Sequence, residues 1–335
     1  MISVFSGCGA MDKGFQEAGF QSILSVDNNL ASYNSLIANK SSDKVICDNI
    51  ENINFRTFKG KADIVIGGPP CQPYSQTRHY LVDKPRGFED LKSGNTVSEY
   101  FRVIKEVEPT FFFFENVDGF KYKTHERELQ YLKKKSEDLN YNITYDVLNA
   151  ADYGVPQTRK RFVCVGIKKK APPFIFPRKT HSDPRRNEDK KLLDWVNCGD
   201  VLKEYDYITK EEMDQKPGGK DNRLLRLIPP GDNYLFFTEK RGCKNPVFKW
   251  KSRYWTFLLK LSPNRPSWTI QASFSHNQGP FHWKNRFLRI EELKRLQTIP
   301  DSYKLHGDFK QQWKQVGNAF PTLLAKIIAK EILQK

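Results

Sequence analysis

Between residue 1 and about residue 167, short runs of β-branched and aromatic residues alternate with stretches of helical spacing. That alternation predicts an α/β unit built on a parallel or mostly parallel sheet. Strands are expected over residues 2–5, 22–26, 62–66, 111–114 and 161–167. Before the fourth of these, Val97, Tyr100, Phe101, Ile104 and Val107 keep helical spacing until Pro109 stops the helix. Open sheets of this class hold their ligands at the carboxyl ends of strands. The residues that directly follow each strand are therefore the first candidates for function.

After Lys168 the character changes. Residues 171–187 are rich in Pro, Lys and Arg, and the stretch to about 285 has scattered aromatics, basic residues and turn signals such as Pro229-Pro230-Gly231-Asp232. No helix–strand alternation is legible there, which predicts a separate, smaller, irregular module. Periodicity returns over 290–299, in a short helix ended by Pro300. A last amphipathic helix is expected from Pro321, with Leu323, Leu324, Ile327, Ile328 and Ile332 on its apolar face. The net charge of +16 suits a polyanionic partner, although a lysine-rich solvated surface would give the same number. The six cysteines form no CxxC pair and the six histidines no ligand cluster, so no metal site is expected. Cys8, Cys47 and Cys164 read as small core residues. Nothing in the sequence reads as a signal peptide or a transmembrane run, so a cytoplasmic location is expected, with no membrane partner.

Three strand ends carry chemistry. Gly68-Pro69-Pro70 breaks a buried strand and delivers Cys71, and a second strand delivers Glu115-Asn116-Val117. A thiolate added at carbon 6 of cytosine turns carbon 5 into a nucleophile, and an acid at ring nitrogen 3 stabilises that adduct. The plainer reading is an inert cysteine and a capping Glu-Asn pair. The first strand leads into Phe5-Ser6-Gly7-Cys8-Gly9-Ala10, with Asp12 where a dinucleotide fingerprint would have its third glycine. Asp27 ends the next strand and can accept from ribose hydroxyls, and Asp48 can accept from an adenine amino group. A nucleoside without a pyrophosphate, such as S-adenosylmethionine, fits better than a dinucleotide; a tight turn with an exposed Asp is the competing reading. In Gln157-Thr158-Arg159-Lys160-Arg161, alternation puts both arginines on one side of an extended segment, for a ring carbonyl or a phosphate, or merely at a solvated edge. Gly317-Asn318, before a Pro-initiated helix, predicts a turn whose backbone touches a ligand.

In this order the blocks resemble the DNA (cytosine-5) methyltransferase family over nearly the whole chain. They are Phe5–Gly9, Gly68–Ser75, Glu115–Val117, Gln157–Arg161, Arg289–Gln297 with Pro300-Asp301, and Gln315–Asn318. The resemblance implies a Rossmann-like S-adenosylmethionine-dependent methyltransferase domain (1–177 plus 302–335) and a smaller, irregular target-recognition domain (178–301). It implies Cys71 as nucleophile, Glu115 at nitrogen 3, and Arg161 with Arg159 at the ring carbonyl. Phe5, Gly7, Cys8, Gly9, Asp27, Asp48, Pro70 and Asn318 would bind S-adenosylmethionine, leaving S-adenosylhomocysteine as product. Ser75, Arg241, Arg253, Thr269 and Ile270 would contact DNA. Ala10 replaces a glycine usual in the family, and the segment 81–98 is longer than usual. The implied activity is methylation of carbon 5 of cytosine in a specific duplex DNA word, by a monomer of prokaryotic or viral type, functionally paired with a restriction endonuclease or solitary. A transfer-RNA cytosine methyltransferase shares these blocks, and a catalytically dead DNA-binding homologue is the non-enzymatic alternative.

Overall fold

Ile64, Val65 and Ile66 are all fully buried, as are Phe112, Phe113 and Phe114, so the strands that carry them sit in the middle of a sheet with both faces covered. The computed structural model describes residues 1–70, 96–122, 126–169, 171–186, 191–249 and 254–335. Cys71, Ser75 and Arg253 lie outside the described residues, as does most of the segment 81–98.

The strands are β1 (Ile2–Val4), β2 (Leu24–Asp27), β3 (Lys44–Cys47), β4 (Ile64–Gly67), β5 (Phe111–Val117), β6 (Tyr141–Asn149) and β7 (Lys160–Lys168). They form one seven-stranded sheet in the order β3-β2-β1-β4-β5-β7-β6. The first five run parallel, and β7 is antiparallel to both of its neighbours. The carboxyl ends of β1, β2, β4 and β5 therefore share one edge, and the antiparallel β7 brings its amino end there, with Arg161 opposite Val117.

Helices α1 (Ala10–Ala18), α2 (Leu30–Ala38), α3 (Thr96–Val107) and α4 (Glu126–Asp138) belong to the first half of the chain. Tyr100 of α3 is wholly buried and donates to the Phe113 carbonyl at 2.8 Å, which ties the helix to the centre of the sheet. After residue 171 come two-residue strand pairs and helices of four to six residues, as an irregular module requires. Regular helices return as α5 (Ile290–Leu296), α6 (Phe309–Asn318) and α7 (Thr322–Leu333). Leu324, Ala325, Ile328 and Ile332 of α7 share a core with Met11 and Phe15 of α1, so the two ends of the chain build one layer over the sheet.

Two expectations are corrected here. Cys47 is exposed, because β3 is an edge strand with no neighbour on its outer side. Gly317-Asn318 is not a turn but the last turn of α6. Gly317 is required there for close approach: a Cβ would stand 2.5 Å from the Gln271 carbonyl oxygen. Among the described residues no helix is long and apolar enough to cross a membrane.

Candidate active site

The shared strand edge opens into a cleft of about 1610 Å³, lined on one side by Phe5, Gly7, Asp27, Asp48, Pro70 and Asn318 and on the other by Glu115, Lys160, Arg161 and Thr269. Strand order sets these sides apart. Asp27 and Asp48 follow β2 and β3 at one end of the sheet, and Glu115 and Arg161 belong to β5 and β7 across the central β1 and β4.

On the first side, the Asp27 carboxylate accepts the Gly7 amide at 2.8 Å through one oxygen and the Asn29 amide at 3.0 Å through the other. Burial raises its pKa, and those two hydrogen bonds oppose the rise. The turn between β1 and α1 is strained: Phe5 lies at φ 54°, in the left-handed region unusual for an aromatic residue. Underneath, the wholly buried Asp12 accepts Ser3 Oγ at 2.8 Å and Ser25 Oγ at 2.9 Å, and Ser6 Oγ donates to Ser3 Oγ at 2.8 Å. Asp12 thus braces the turn from below, and desolvation lifts its pKa to about 6.

On the second side, Arg161 Nε lies 2.9 Å from Glu115 Oε1, both side chains being largely shielded from solvent. Burial raises the Glu115 pKa, with Arg161 and then Arg159 pulling it back. Gly68 makes this arrangement possible, since a Cβ there would stand 2.7 Å from Glu115 Oε2. Asn116 is fully buried and donates to the Pro69 carbonyl at 3.3 Å, so it holds the Pro-Pro turn that leads to Cys71. A shielded carboxyl group whose pKa burial raises, a guanidinium beside it, and the strand end that precedes a cysteine meet at one point.

The sequence model of C-5 cytosine-specific DNA methylases matches residues 1–334. This chain belongs to that family. The methylase is 32% identical over 367 aligned residues to the Type II methyltransferase M.SacI of Streptomyces achromogenes, covering 100% of this chain and 93% of that protein. It is 31% identical to M.PspPI of Psychrobacter sp. (strain TA137), covering 100% of this chain and 79% of that protein. Among solved structures, a DNA modification methyltransferase encoded within an E. coli prophage superposes with TM-score 0.68 at 21% identity, covering 99% of this chain and 98% of that one. A mutant DNMT2 of Spodoptera frugiperda gives the same score and coverage at 16% identity. The sheet is thus the Rossmann-like methyltransferase fold, and the methylase is an enzyme acting on carbon 5 of cytosine in DNA.

Several residues expected at the site do other work. Arg159 of the methylase is wholly buried and does not line the cleft; it donates to the Ile270 carbonyl at 3.0 Å and to the Gly317 carbonyl at 2.8 Å. It ties three distant stretches of chain together. Ile270 is buried in a core cluster, with its amide held by Gln157 Oε1 at 3.0 Å, and it also lines the cleft. Thr269 reaches the cleft, but its hydroxyl is given to the Thr158 carbonyl at 2.8 Å. Gly9 faces away from the cleft toward Tyr303 and Leu36. Cys8 contributes to the cleft wall, yet burial pushes its thiol up to about 12, which leaves it inert. Asp48 sits exposed at the rim, where its Oδ1 accepts the Asn49 amide at 2.7 Å and Asn52 Nδ2 at 2.8 Å. Arg241 lines a separate small cavity, with Asp232 3.6 Å away.

Gln157 and Lys160 stand inside the double-arginine block without a role of their own in the sequence, and Gln157 is held by its hydrogen bond to the Leu296 carbonyl. Trp195 and Trp268 carry no local signal, being placed by contacts across more than 40 residues: Trp195 to Asp152, and Trp268 by its ladder to Thr158.

Proposed function

We propose that this methylase uses S-adenosylmethionine to methylate a cytosine within one short word of duplex DNA, on a base turned out of the helix, with Cys71 as the attacking group. The observation that carries this is the Glu115–Arg161 pair at 2.9 Å, set against the turn that precedes Cys71 and in the same cleft as Asp27. The division into a catalytic unit (1–177 plus 302–335) and a recognition unit (178–301) belongs to the same reading. It is supported by a core of Leu225, Tyr234, Leu258 and Phe281 that is confined to the second unit. Functional pairing with an endonuclease of the same specificity follows from the likeness to Type II enzymes.

The residues of the first side fit the cofactor. Asp27 lines the cleft while two amides orient its carboxylate, and the absence of a side chain at Gly7 lets a ribose approach the backbone. Asp48 and Asn318 stand on the same side for the base and the amino-acid end. The bound cofactor supplies an electrophilic methyl group that carbon 5 accepts. The Cys71 thiolate adds to carbon 6 and pushes the ring electrons toward carbon 5 and nitrogen 3. Glu115, whose pKa burial raises, gives a proton to nitrogen 3 when it carries one, and Arg161 beside it then compensates the carboxylate that remains. Transfer of the carbon-5 proton to water, with return of the nitrogen-3 proton to Glu115, lets the carbon 6–sulfur bond break and restores both the thiolate and the acid. The reacting base must leave the duplex stack to reach an acid at the end of a strand.

Conversion sequencing of a mixed-sequence plasmid after incubation with the enzyme and S-adenosylmethionine tests this reading. Protected cytosines confined to one short word are expected. Protection of none would overturn it, and scattered protection would overturn the recognition of a word.

A further inference from the structure

A smaller cavity of about 340 Å³ lies beside the main cleft. Trp255 and Trp268 form part of its wall, with ring centroids 5.3 Å apart and planes at 80°. They are 40% and 38% exposed. Two adjoining indoles left open at the lip of a cleft mark a contact surface, unlike apolar residues scattered singly. Gly231, Arg265 and Trp268 line both cavities, so the smaller one adjoins the reaction cleft across these three residues.

The position of Trp268 is set by backbone, not by a free loop. Ser267 and Trp268 run parallel to Gln157 and Thr158, with Trp268 opposite Thr158. Hydrogen bonds from Thr158 Oγ1 to the Ser267 carbonyl at 2.9 Å and from Thr269 Oγ1 to the Thr158 carbonyl at 2.8 Å lock that register. Thr158 precedes Arg161 by three residues, a reach of about 10 Å in extended chain. That distance equals about three base steps along a DNA strand.

The geometry points to a base-reading subsite. The Trp255–Trp268 wall takes the face of one nucleobase of the substrate within about three nucleotides of the target cytosine, and the exposed Arg265 takes an adjoining phosphate. This rests on the reading that the main cleft receives DNA. Indole faces suit any base that can be unstacked, guanidinium suits phosphate, and a chain of net charge +16 already favours the polyanion. A cavity of about 340 Å³ beside the cleft admits a planar ring and excludes a folded partner.

The test uses the full-length enzyme on duplexes that carry the methylated word in varied flanks. Trp268→Ala is expected to raise KM for DNA roughly 5- to 150-fold and to flatten the preference at one position within three nucleotides of the cytosine. Trp268→Phe should restore most of both, and Arg265→Gln should raise KM evenly across all flanks. Retained S-adenosylmethionine binding shows that each variant is folded. If Trp268→Ala loses it, Trp255→Leu decides by the same two readouts. Wild-type KM and unchanged flank preference in the folded variants would overturn the subsite. Methylation of no cytosine by the unaltered enzyme would instead overturn the DNA reading on which it rests.

Discussion

Arg161 Nε sits 2.9 Å from Glu115 Oε1 although the two residues are brought together only by the antiparallel pairing of their strands. Burial raises the Glu115 pKa and the guanidinium lowers it again, so the pair decides how long the acid holds its proton. Arg161→Ala removes the opposing charge and should push the Glu115 pKa higher. The pH above which activity is lost should then move up, while kcat falls by about 10²–10³ because one electrostatic partner of the adduct is gone. A pH profile of kcat checks both, and an unmoved alkaline limb would separate Glu115 from that limb.

Cys71→Ala should abolish methylation and leave DNA binding intact, because in the proposed mechanism the thiolate forms the bond to carbon 6 but is not needed to hold the duplex. Turnover and gel-shift affinity measured on the same preparation test this. Normal turnover would remove Cys71 from the nucleophile role.

Asp27→Ala deletes the acceptor of the Gly7 and Asn29 amides and of the ribose hydroxyls. S-adenosylmethionine should bind about 10- to 100-fold more weakly, in line with hydrogen bonds to a charged group. Calorimetric titration reads the change, and an unaltered Kd would exclude Asp27 from the cofactor site.

Arg159→Leu should act on stability and not on a contact with substrate. It strands the Ile270 and Gly317 carbonyls in a dry interior, a loss of about 2–5 kcal/mol. Urea denaturation should show that loss with or without DNA present. A variant as stable as the parent would contradict the clamp.

Asp12→Asn should change stability in a pH-dependent manner. The folded pKa is raised from 3.8 to about 6, so the stability this group contributes is full below pH 3.8 and is lost as the pH rises through 6. The advantage of the parent over the variant should therefore shrink by about 2.4 kcal/mol between pH 4 and pH 7.5. Equal differences at the two pH values would mean that Asp12 titrates normally.

Much of the site was legible because its residues stand directly after strands. A β-branched run that stops at Gly-Gly-Pro-Pro, and a Phe run that stops at Glu-Asn, fix what lies at a sheet edge by local sequence alone. The same holds for Asp27 at the end of β2 and for the closing helix after Pro321. The reading failed where burial decides a role. Arg159 and Arg161 are two residues apart in one basic block, yet only Arg161 lines the cleft, and Arg159 is enclosed by Ile270 and Gly317. Those partners lie 111 and 158 residues away in sequence, beyond any local pattern. Cys47 looked like a core residue because its run is apolar, but its strand has a neighbour on one side only.

The sequence by itself determined the alternating architecture, which residues directly follow the strands, and the family, since each depends on residues close together in the chain. The tertiary structure alone decided which arginine faces the acid, that Ile270 is core, and that Trp268 is paired with Thr158 beside the double-arginine block. These roles arise when Gln157 and Thr158 take segment 267–270 as a partner. Long-range hydrogen bonding and exclusion of water set that pairing, and neither leaves a periodic trace in the residues involved.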